Sequence, residues 1–189
     1  VRSAGVLVGY IREHILHEAP HLTDVVVEAV DANLRIDEPT QRNLELTANL
    51  LDGGRDHTLL AALDRTRTAV GARLLRRSIL APLRERDAIE NRLDSVEGLF
   101  RDQLLLARIR TELDGFRDLE RLTARCSLGR SDARELLAVR DCLQRAVVVS
   151  ELLEDVVPHL AAKLRANDEE LSPLLKTLQD ALSDQLDGT

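Results

Sequence analysis

The chain has 189 residues, of which 44% are hydrophobic and 31% charged, and its formal net charge is −7. This length and balance are typical of one folded globular domain with a buried core. The acidic net charge disfavours a general nucleic-acid-binding surface, and the scarcity of aromatic residues (one Tyr, two Phe, no Trp) disfavours a base-stacking platform. No apolar run reaches the ~18–20 residues of a membrane span, and no signal segment opens the chain. We therefore expect a cytoplasmic protein with no membrane partner.

The first third of the chain mixes helical and strand-like patterns. Residues 4–17 repeat apolar side chains at helical spacing, and Pro20 ends that segment. Residues 25–36 are rich in β-branched side chains that alternate with period two, which predicts a small β element near residues 25–46. Gly53 and Gly54 predict a turn, because glycine adopts positive φ at little cost.

From Thr58 onward, apolar residues recur every three or four positions, which indicates helices almost throughout. Ser131 is expected to cap one of them, with Pro82 and Gly129 as breaks. The fold class that we predict is mainly α, a multi-helix bundle with one small β element. We predict a single domain over 1–189, in which 1–57 hold the first helix and the β element and 58–189 form the bundle. The predicted helices of the bundle are 58–80, 86–113, 118–127, 132–148, 151–166 and 168–186.

The sequence contains none of the short motifs that carry phosphate or nucleophile chemistry, namely G-x-x-x-x-G-K-[ST], G-x-G-x-x-G and G-x-S-x-G. Cys126 and Cys142 lack neighbours at metal-ligand spacing. His14, His17 and His21 form the densest ligand-type group, but their order is not H-E-x-x-H, so we favour surface histidines. We therefore predict no catalytic residue, no cofactor and no metal in this chain.

The charge is unevenly distributed. Residues 55–86 contain eight arginines and three acids, and Arg73, Arg76 and Arg77 share a helix face at i, i+3 and i+4. Together with Arg84 they are candidates for a phosphate or partner contact. The alternative is internal pairing with the acid-rich residues 151–187, which carry nine acids and three bases. We favour the internal pairing, since arginine makes bidentate pairs with carboxylates.

Several segments follow one family's pattern in order and spacing: TQRNLEL at 40–46, TLLAALDRTRTAVGARLLRRSILAPL at 58–83, AIENRLDSVEGLF at 88–100 and DLERLTARCSLGRSDARELLAVRDCL at 118–143. They resemble the core, or lever, domain (domain III) of the MutS family of DNA mismatch-repair ATPases, over residues 3–145. The second segment is the most specific, with Asp64, Thr66, Thr68, Gly71 and Arg73 at the family's positions. Ser78 departs from the pattern, since many members carry tryptophan there.

The resemblance implies that the chain is an interior piece of a longer protein, in agreement with its start at Val1 and its lack of methionine. In the family, a mismatch-reading domain and a connector precede this region, and a DNA clamp and a P-loop ATPase follow it. The longer protein would bind mismatched DNA, hydrolyse ATP with Mg²⁺, form a homodimer and recruit a MutL-type partner. This piece would relay nucleotide state to the clamp and have no catalysis of its own.

Two other functions remain open from the sequence. One is a free-standing helical adaptor that binds a partner helix, and the other is a weak DNA-binding module that uses the face of Arg73 to Arg86. A piece cut before its clamp predicts an exposed apolar seam near the carboxyl end. Its residues would be Leu171, Leu174, Leu175, Leu178 and Leu182.

Overall fold

The computed structural model of the protein describes residues 5–6, 9–10 and 33–182. The chain divides into two compact units, residues 1–30 and 31–189. In the first unit, residues 5–6 and 9–10 have helical backbone. The remainder of the predicted helix at 4–17 lies outside the described residues, as do His14, His17 and His21. The single domain over 1–189 stays a prediction.

Within residues 33–182 the second unit contains nine helices, which confirms the mainly α fold class. In this part of the chain, no helix combines the length and the apolar content of a membrane span. The helices are α1 Glu38–Asn43, α2 Leu59–Leu63, α3 Ala69–Leu80, α4 Arg86–Arg101, α5 Gln103–Asp114, α6 Leu119–Ser127, α7 Ala133–Leu153, α8 Pro158–Arg165 and α9 Asp168–Ala181.

The described part of the predicted β element, residues 33–46, holds only one antiparallel bridge, between Asn33 and Leu83. Residues 38–43 form α1 instead, because Asp37 caps this short helix by accepting the Thr40 N–H at 2.9 Å. Residues 25–32 lie outside the described residues. The turn at Gly53 is confirmed by its φ of 73°.

Helix α7 is the central element of the second unit, because both apolar cores contain its residues. Core A joins α7 to α5 and α8 and is formed by Leu105, Ile109, Val149, Leu153, Val157 and Ala161. Core B joins α7 to α6 and is formed by Leu122, Val139 and Leu143. Each buried leucine or valine contributes on the order of 1.5–3 kcal/mol, so α7 holds the bundle together from Val139 to Leu153.

Two predicted long helices are each divided in the structure. Residues 58–80 form α2 and α3, because Thr68 caps α3 by accepting the Gly71 N–H at 2.9 Å. Residues 86–113 form α4 and α5, because Asp102 leaves helical geometry and accepts the Leu105 N–H at 2.9 Å. Short polar side chains that compete for backbone N–H groups thus end both helices early.

The predicted boundaries around α7 are also corrected. Its cap is Asp132, not Ser131, since the Asp132 carboxylate accepts the Glu135 N–H at 2.8 Å. The helix predicted at 151–166 starts later than predicted, because α7 runs through Leu153 and α8 begins at Pro158; its residues 158–165 are helical. Proline is favoured at this first position, where no intrahelical donor is needed. The helix predicted at 118–127 is confirmed as α6, and Gly129 follows it with a φ of 64°.

The predicted exposed seam near the carboxyl end is wrong for four of its five residues, because only Leu174 is exposed, at 45%. In α9, three leucines (Leu171, Leu175 and Leu178) pack against core B. The guanidinium of Arg140 on α7 donates to the carbonyl oxygen of Leu182 at 3.3 Å, just after α9 ends. Helix α9 therefore folds back onto the bundle, because its apolar stripe finds a partner in α6 and α7.

Candidate functional site

The arginine-rich segment contacts the rest of the second unit where α5 ends and α6 begins. Arg73 of α3 makes two parallel hydrogen bonds to the Asp118 carboxylate, both 2.9 Å, and also contacts Glu120. Asp118 caps α6 at the same time, since it accepts the Arg121 N–H at 3.3 Å. The Asp118 carboxylate thus caps α6 and binds Arg73 of α3, so it fixes the position of α3 relative to the start of α6.

The charges in this cluster stabilise one another. The hydrogen bond from Arg73 is the main cause that lowers the pKa of Asp118 below its usual value. Hydrogen bonds to Asp118 and then Glu120 raise the pKa of Arg73 further. Because two carboxylates surround this guanidinium, Arg73 is committed to an internal contact and offers little net positive charge to a phosphate.

Two further polar contacts join the loop before α3 to α5. Arg67 pairs with Asp114 at 3.4 Å, and the Arg110 guanidinium donates to the carbonyl oxygen of Arg65 at 3.2 Å. These side chains are exposed, so each contact contributes at most about 1 kcal/mol. Their common effect is to position α3 by charge and hydrogen bonds.

The residues of the most specific family segment have identifiable local roles. The Asp64 carboxylate accepts the Thr66 N–H at 2.9 Å and the Thr66 hydroxyl at 2.6 Å, and it also pairs with Arg55. The bonds from Thr66, followed by the one from Arg55, lower the pKa of Asp64 to about 2. At Gly71 an added Cβ would lie 2.9 Å from the Thr68 hydroxyl oxygen that caps α3. This segment therefore encodes a tight turn followed by a capped helix.

An apolar cleft of about 410 Å³ lies beside the Arg73 cluster. Its walls come from α3 and from the α5–α6 connection, and they include Val70, Leu74, Leu113, Phe116 and Leu119. Apolar packing between α3 and the α5–α6 connection is therefore incomplete, and the ion pairs at the edge of the cleft carry much of the contact.

The structure separates the four predicted arginines. Arg73 contacts the bundle, whereas Arg76 lines another cleft, of about 610 Å³, together with Glu38 and residues 47–53. Arg77 and Arg84 are exposed on α3 and after it. A phosphate or partner contact by these residues stays a prediction.

The predicted pairing of this segment with residues 151–187 is wrong for four of its arginines. Arg67 and Arg73 pair with Asp114, Asp118 and Glu120, because α6 and the end of α5 lie beside α3. Arg55 and Arg86 pair with acids close to them in sequence, Asp64 and Glu90. Sequence reasoning missed Asp118 and Glu120. The available signal was the start of DLERL, where two acids stand at a helix amino terminus.

Metal-ligand side chains do not converge within the described residues. No group of three or more His, Cys, Asp or Glu side chains there is arranged to hold a metal ion. Within this part of the chain, the chemistry of the candidate site is that of ion pairs, caps and apolar packing.

Fold and site together define a helical scaffold domain. Its central helix, α7, contributes residues to both cores, and ion pairs and hydrogen bonds position the outer helix α3. The chain belongs to the MutS domain III family, whose sequence pattern matches residues 39–188. The resemblance seen in the sequence is thereby confirmed.

The curated relatives carry the name DNA mismatch repair protein MutS. The protein of Treponema denticola is 34% identical over 187 residues, which are 99% of this chain and 20% of the relative. The protein of Synechococcus elongatus is 37% identical over 96% of this chain and 21% of its own length. That of Desulfosudis oleivorans is 43% identical over 75% of this chain and 16% of its own length. The chain thus spans about a fifth of the length of the first two relatives.

Proposed function

We propose that the chain is the core, or lever, domain of a longer MutS-like DNA mismatch-repair protein. The domain would relay displacements between an ATPase and a DNA clamp that lie outside residues 1–189. The observation that carries this proposal is the position of α7, which contributes residues to both core A and core B. The family match over residues 39–188 supports the assignment of the chain to a mismatch-repair protein.

A relay needs an element that moves as one body. Helix α7 has 21 residues and is therefore roughly 32 Å long. Close-packed cores deform little, so a displacement applied at core A is transmitted along α7 to core B. The arrangement supports transmission between two ends of the domain, provided that both ends favour the same two positions of the helix.

The ligands and partners of the longer protein are proposed from the same family. The name of the relatives supports mismatched DNA as its ligand. ATP with Mg²⁺, a second copy of the protein and a MutL-type partner are proposed from the resemblance, and the cytoplasmic location stays a prediction from the sequence. The chain itself would contribute no catalytic residue.

The relay is tested by softening α7 between its two cores. Val147 is exposed on α7, and Val147→Gly lowers helix propensity by about 1 kcal/mol relative to Val147→Ala. In the longer protein, we expect the Gly variant to reduce the factor by which ATP changes affinity for mismatched duplex. The Ala variant removes the same valine and is the matched control. Equal coupling in two folded variants would contradict the relay.

A weak DNA contact by the arginine-rich segment is the second candidate function, because Arg76 and Arg84 are exposed. The measurement is binding of the 189-residue chain to matched and mismatched duplex over a salt series. We expect weak binding without mismatch preference, and Arg76→Ala with Arg84→Ala should reduce its salt dependence. Mismatch-selective binding by this chain alone would assign recognition to the arginine face.

A further inference from the structure

The tripeptide Leu-Asp-Gly occurs three times in the chain, at 51–53, 113–115 and 186–188. An aspartate followed by glycine is chemically labile, because glycine has no Cβ to hinder attack of its main-chain nitrogen on the aspartate side chain. The structure places the first two copies in different surroundings, and the third copy lies outside the described residues. The first two copies therefore allow the same chemistry to be compared in two settings.

The first copy lies at an open position in the loop that joins α1 to α2. Asp52 and Gly53 are exposed, and Leu51 beside them has an exposed fraction of 93%. Gly53 has a φ of 73°, and a Cβ added there would meet nothing within 4 Å. The pair therefore has room to change its backbone geometry.

The Asp52 side chain folds back over the peptide bond that follows it. Its Oδ1 accepts the Gly54 N–H at 2.7 Å, and the ring closed by this hydrogen bond contains the Gly53 nitrogen. In the same turn, the N–H groups of residues 50–52 donate to side-chain oxygens of the loop. Within the described residues, the Gly53 N–H has no such acceptor. The attacking nitrogen is therefore held by no hydrogen bond that would have to break first.

We propose that Asp52–Gly53 is a site of covalent modification, at which Asp52 converts to isoaspartate without an enzyme. The Gly53 nitrogen attacks Cγ of the protonated carboxyl group, and one water leaves with the carboxyl hydroxyl and the amide proton. Water then adds to the cyclic imide and breaks the bond from its nitrogen to the main-chain carbonyl carbon of Asp52. The chain now continues through Cγ, and the former main-chain carbonyl becomes a free carboxylate. Water is the only co-reactant, and the composition of the protein is unchanged.

The second copy is protected by its surroundings. Asp114 is the last residue of α5, and its carboxylate pairs with Arg67 at 3.4 Å. The Gly115 N–H donates to the carbonyl oxygen of Glu112 at 3.2 Å, so attack by this nitrogen requires that bond to break. A Cβ added at Gly115 would clash with the guanidinium of Arg145, which leaves this peptide little room to rotate. The same tripeptide should therefore react at 52 and stay intact at 114.

The conversion would change the loop at a defined place. Isoaspartate adds its Cβ to the main chain between Asn49 and Gly54, whose N–H and carbonyl groups are joined at 2.8 Å. Residues 47–53 also line the 610 Å³ cleft together with Arg76, so the shape of that cleft would change. The new carboxylate would make the loop a substrate for a methyltransferase of the class that esterifies isoaspartate with S-adenosylmethionine.

Peptide mapping of the 189-residue chain tests the difference between the two copies. The hydrogen bond from Gly54 lowers the pKa of Asp52, so the protonated form is scarce at neutral pH, and the folded chain is incubated in mildly acidic buffer. Electron-transfer fragmentation then distinguishes isoaspartate from aspartate in the peptides with residues 52 and 114. We expect isoaspartate to accumulate at 52 at least about tenfold faster than at 114. In urea, the two rates should agree within about twofold, because unfolding removes the local protection.

The variants Asp52→Asn and Asp114→Asn give an independent measurement. The same attack on an asparagine side chain releases ammonia, and the later addition of water increases the mass of the protein. Asp52→Asn should gain this mass at least about tenfold faster than Asp114→Asn while both are folded.

Each outcome of these measurements decides the inference. Equal rates at the two positions of the folded chain would overturn it, and so would the absence of isoaspartate at 52. A preference for 52 that persists in urea would assign the difference to sequence neighbours and would overturn it as well. None of these results bears on the proposed function, which concerns the longer protein.

Discussion

At the residue scale, single carboxylates decide where helices begin and how they meet. Asp118 caps α6 and binds Arg73 of α3, and Asp102 divides α4 from α5 by capping the latter. A cap satisfies backbone donors that the helix cannot satisfy itself. The bundle geometry therefore depends on a few short acidic side chains as well as on its apolar cores.

The pair of Arg73 and Asp118 predicts a pH-dependent effect. Because the folded protein lowers the pKa of Asp118, the pair stabilises the fold above the unfolded pKa of about 3.9. This contribution is lost as the pH falls through the lower, folded pKa. Arg73→Gln should reduce the urea midpoint at pH 7 and reduce it less at about pH 3. Arg73→Lys, which keeps the charge without the bidentate geometry, should lie between. A decrease of equal size at both pH values would contradict the assignment.

The cap at Asp102 predicts a second effect. Asp102→Ala removes the acceptor of the Leu105 N–H and should lower the free energy of unfolding by about 1 kcal/mol. Asp102→Ser keeps an acceptor and serves as the control. The measurement is chemical unfolding followed by circular dichroism. A rise in stability and helix content for the Ala variant would mean that α4 and α5 had joined into the single helix that periodicity predicts.

At the element scale, α4 is defined by the contrast between its two sides. The side with Ser95 and Gly98 contacts the turn before α8, while the opposite side carries four exposed apolar residues: Ile89, Leu93, Val96 and Phe100. Helical periodicity indicated these apolar residues and could not tell which neighbour they contact. The same limitation applies to α9, three of whose leucines (Leu171, Leu175 and Leu178) were expected in solvent but pack on core B.

The close approach at Gly98 predicts the sign of a substitution. Gly98→Ala would gain about 1 kcal/mol of helix propensity at an exposed site. Here the new methyl would meet the Val156 backbone at 3.2 Å, so overpacking should outweigh the gain and destabilise the protein by about 1–2 kcal/mol. Asp94→Ala, at an exposed position of the same helix, should be neutral or stabilising. Thermal unfolding of the two variants checks this difference.

The sequence predicted which parts of the chain are helical better than it predicted where helices end. Periodic apolar residues identified α6 and most of α7, because burial dominates along a helix. The breaks at Asp64–Thr68 and at Asp102 depend on local hydrogen bonds that compete with helix continuation, so periodicity did not reveal them. At the site, the helical face of Arg73 was predictable, but its partner Asp118 lies 45 positions away and is brought close only by tertiary packing.

At the scale of the whole molecule, the second unit should unfold cooperatively around α7. Leu143→Ala removes a buried side chain from core B and should cost about 2–5 kcal/mol. Because α7 also supplies core A, hydrogen exchange should accelerate in α5 as much as in α6. Leu128→Ala, at an exposed position after α6, is the control. Faster exchange confined to α6 would show that the two cores unfold separately.

The central place of α7 also bears on synthesis at the ribosome. Helices α5 and α6 emerge first, and their apolar residues, such as Ile109 and Leu122, pack against α7 residues that are translated later. At about 5–20 residues per second, the interval from Ile109 to Leu153 lasts roughly 2–9 seconds. During that interval the apolar side chains of α5 and α6 are exposed and can bind chaperones or neighbouring polypeptides. Completion of α7 covers them.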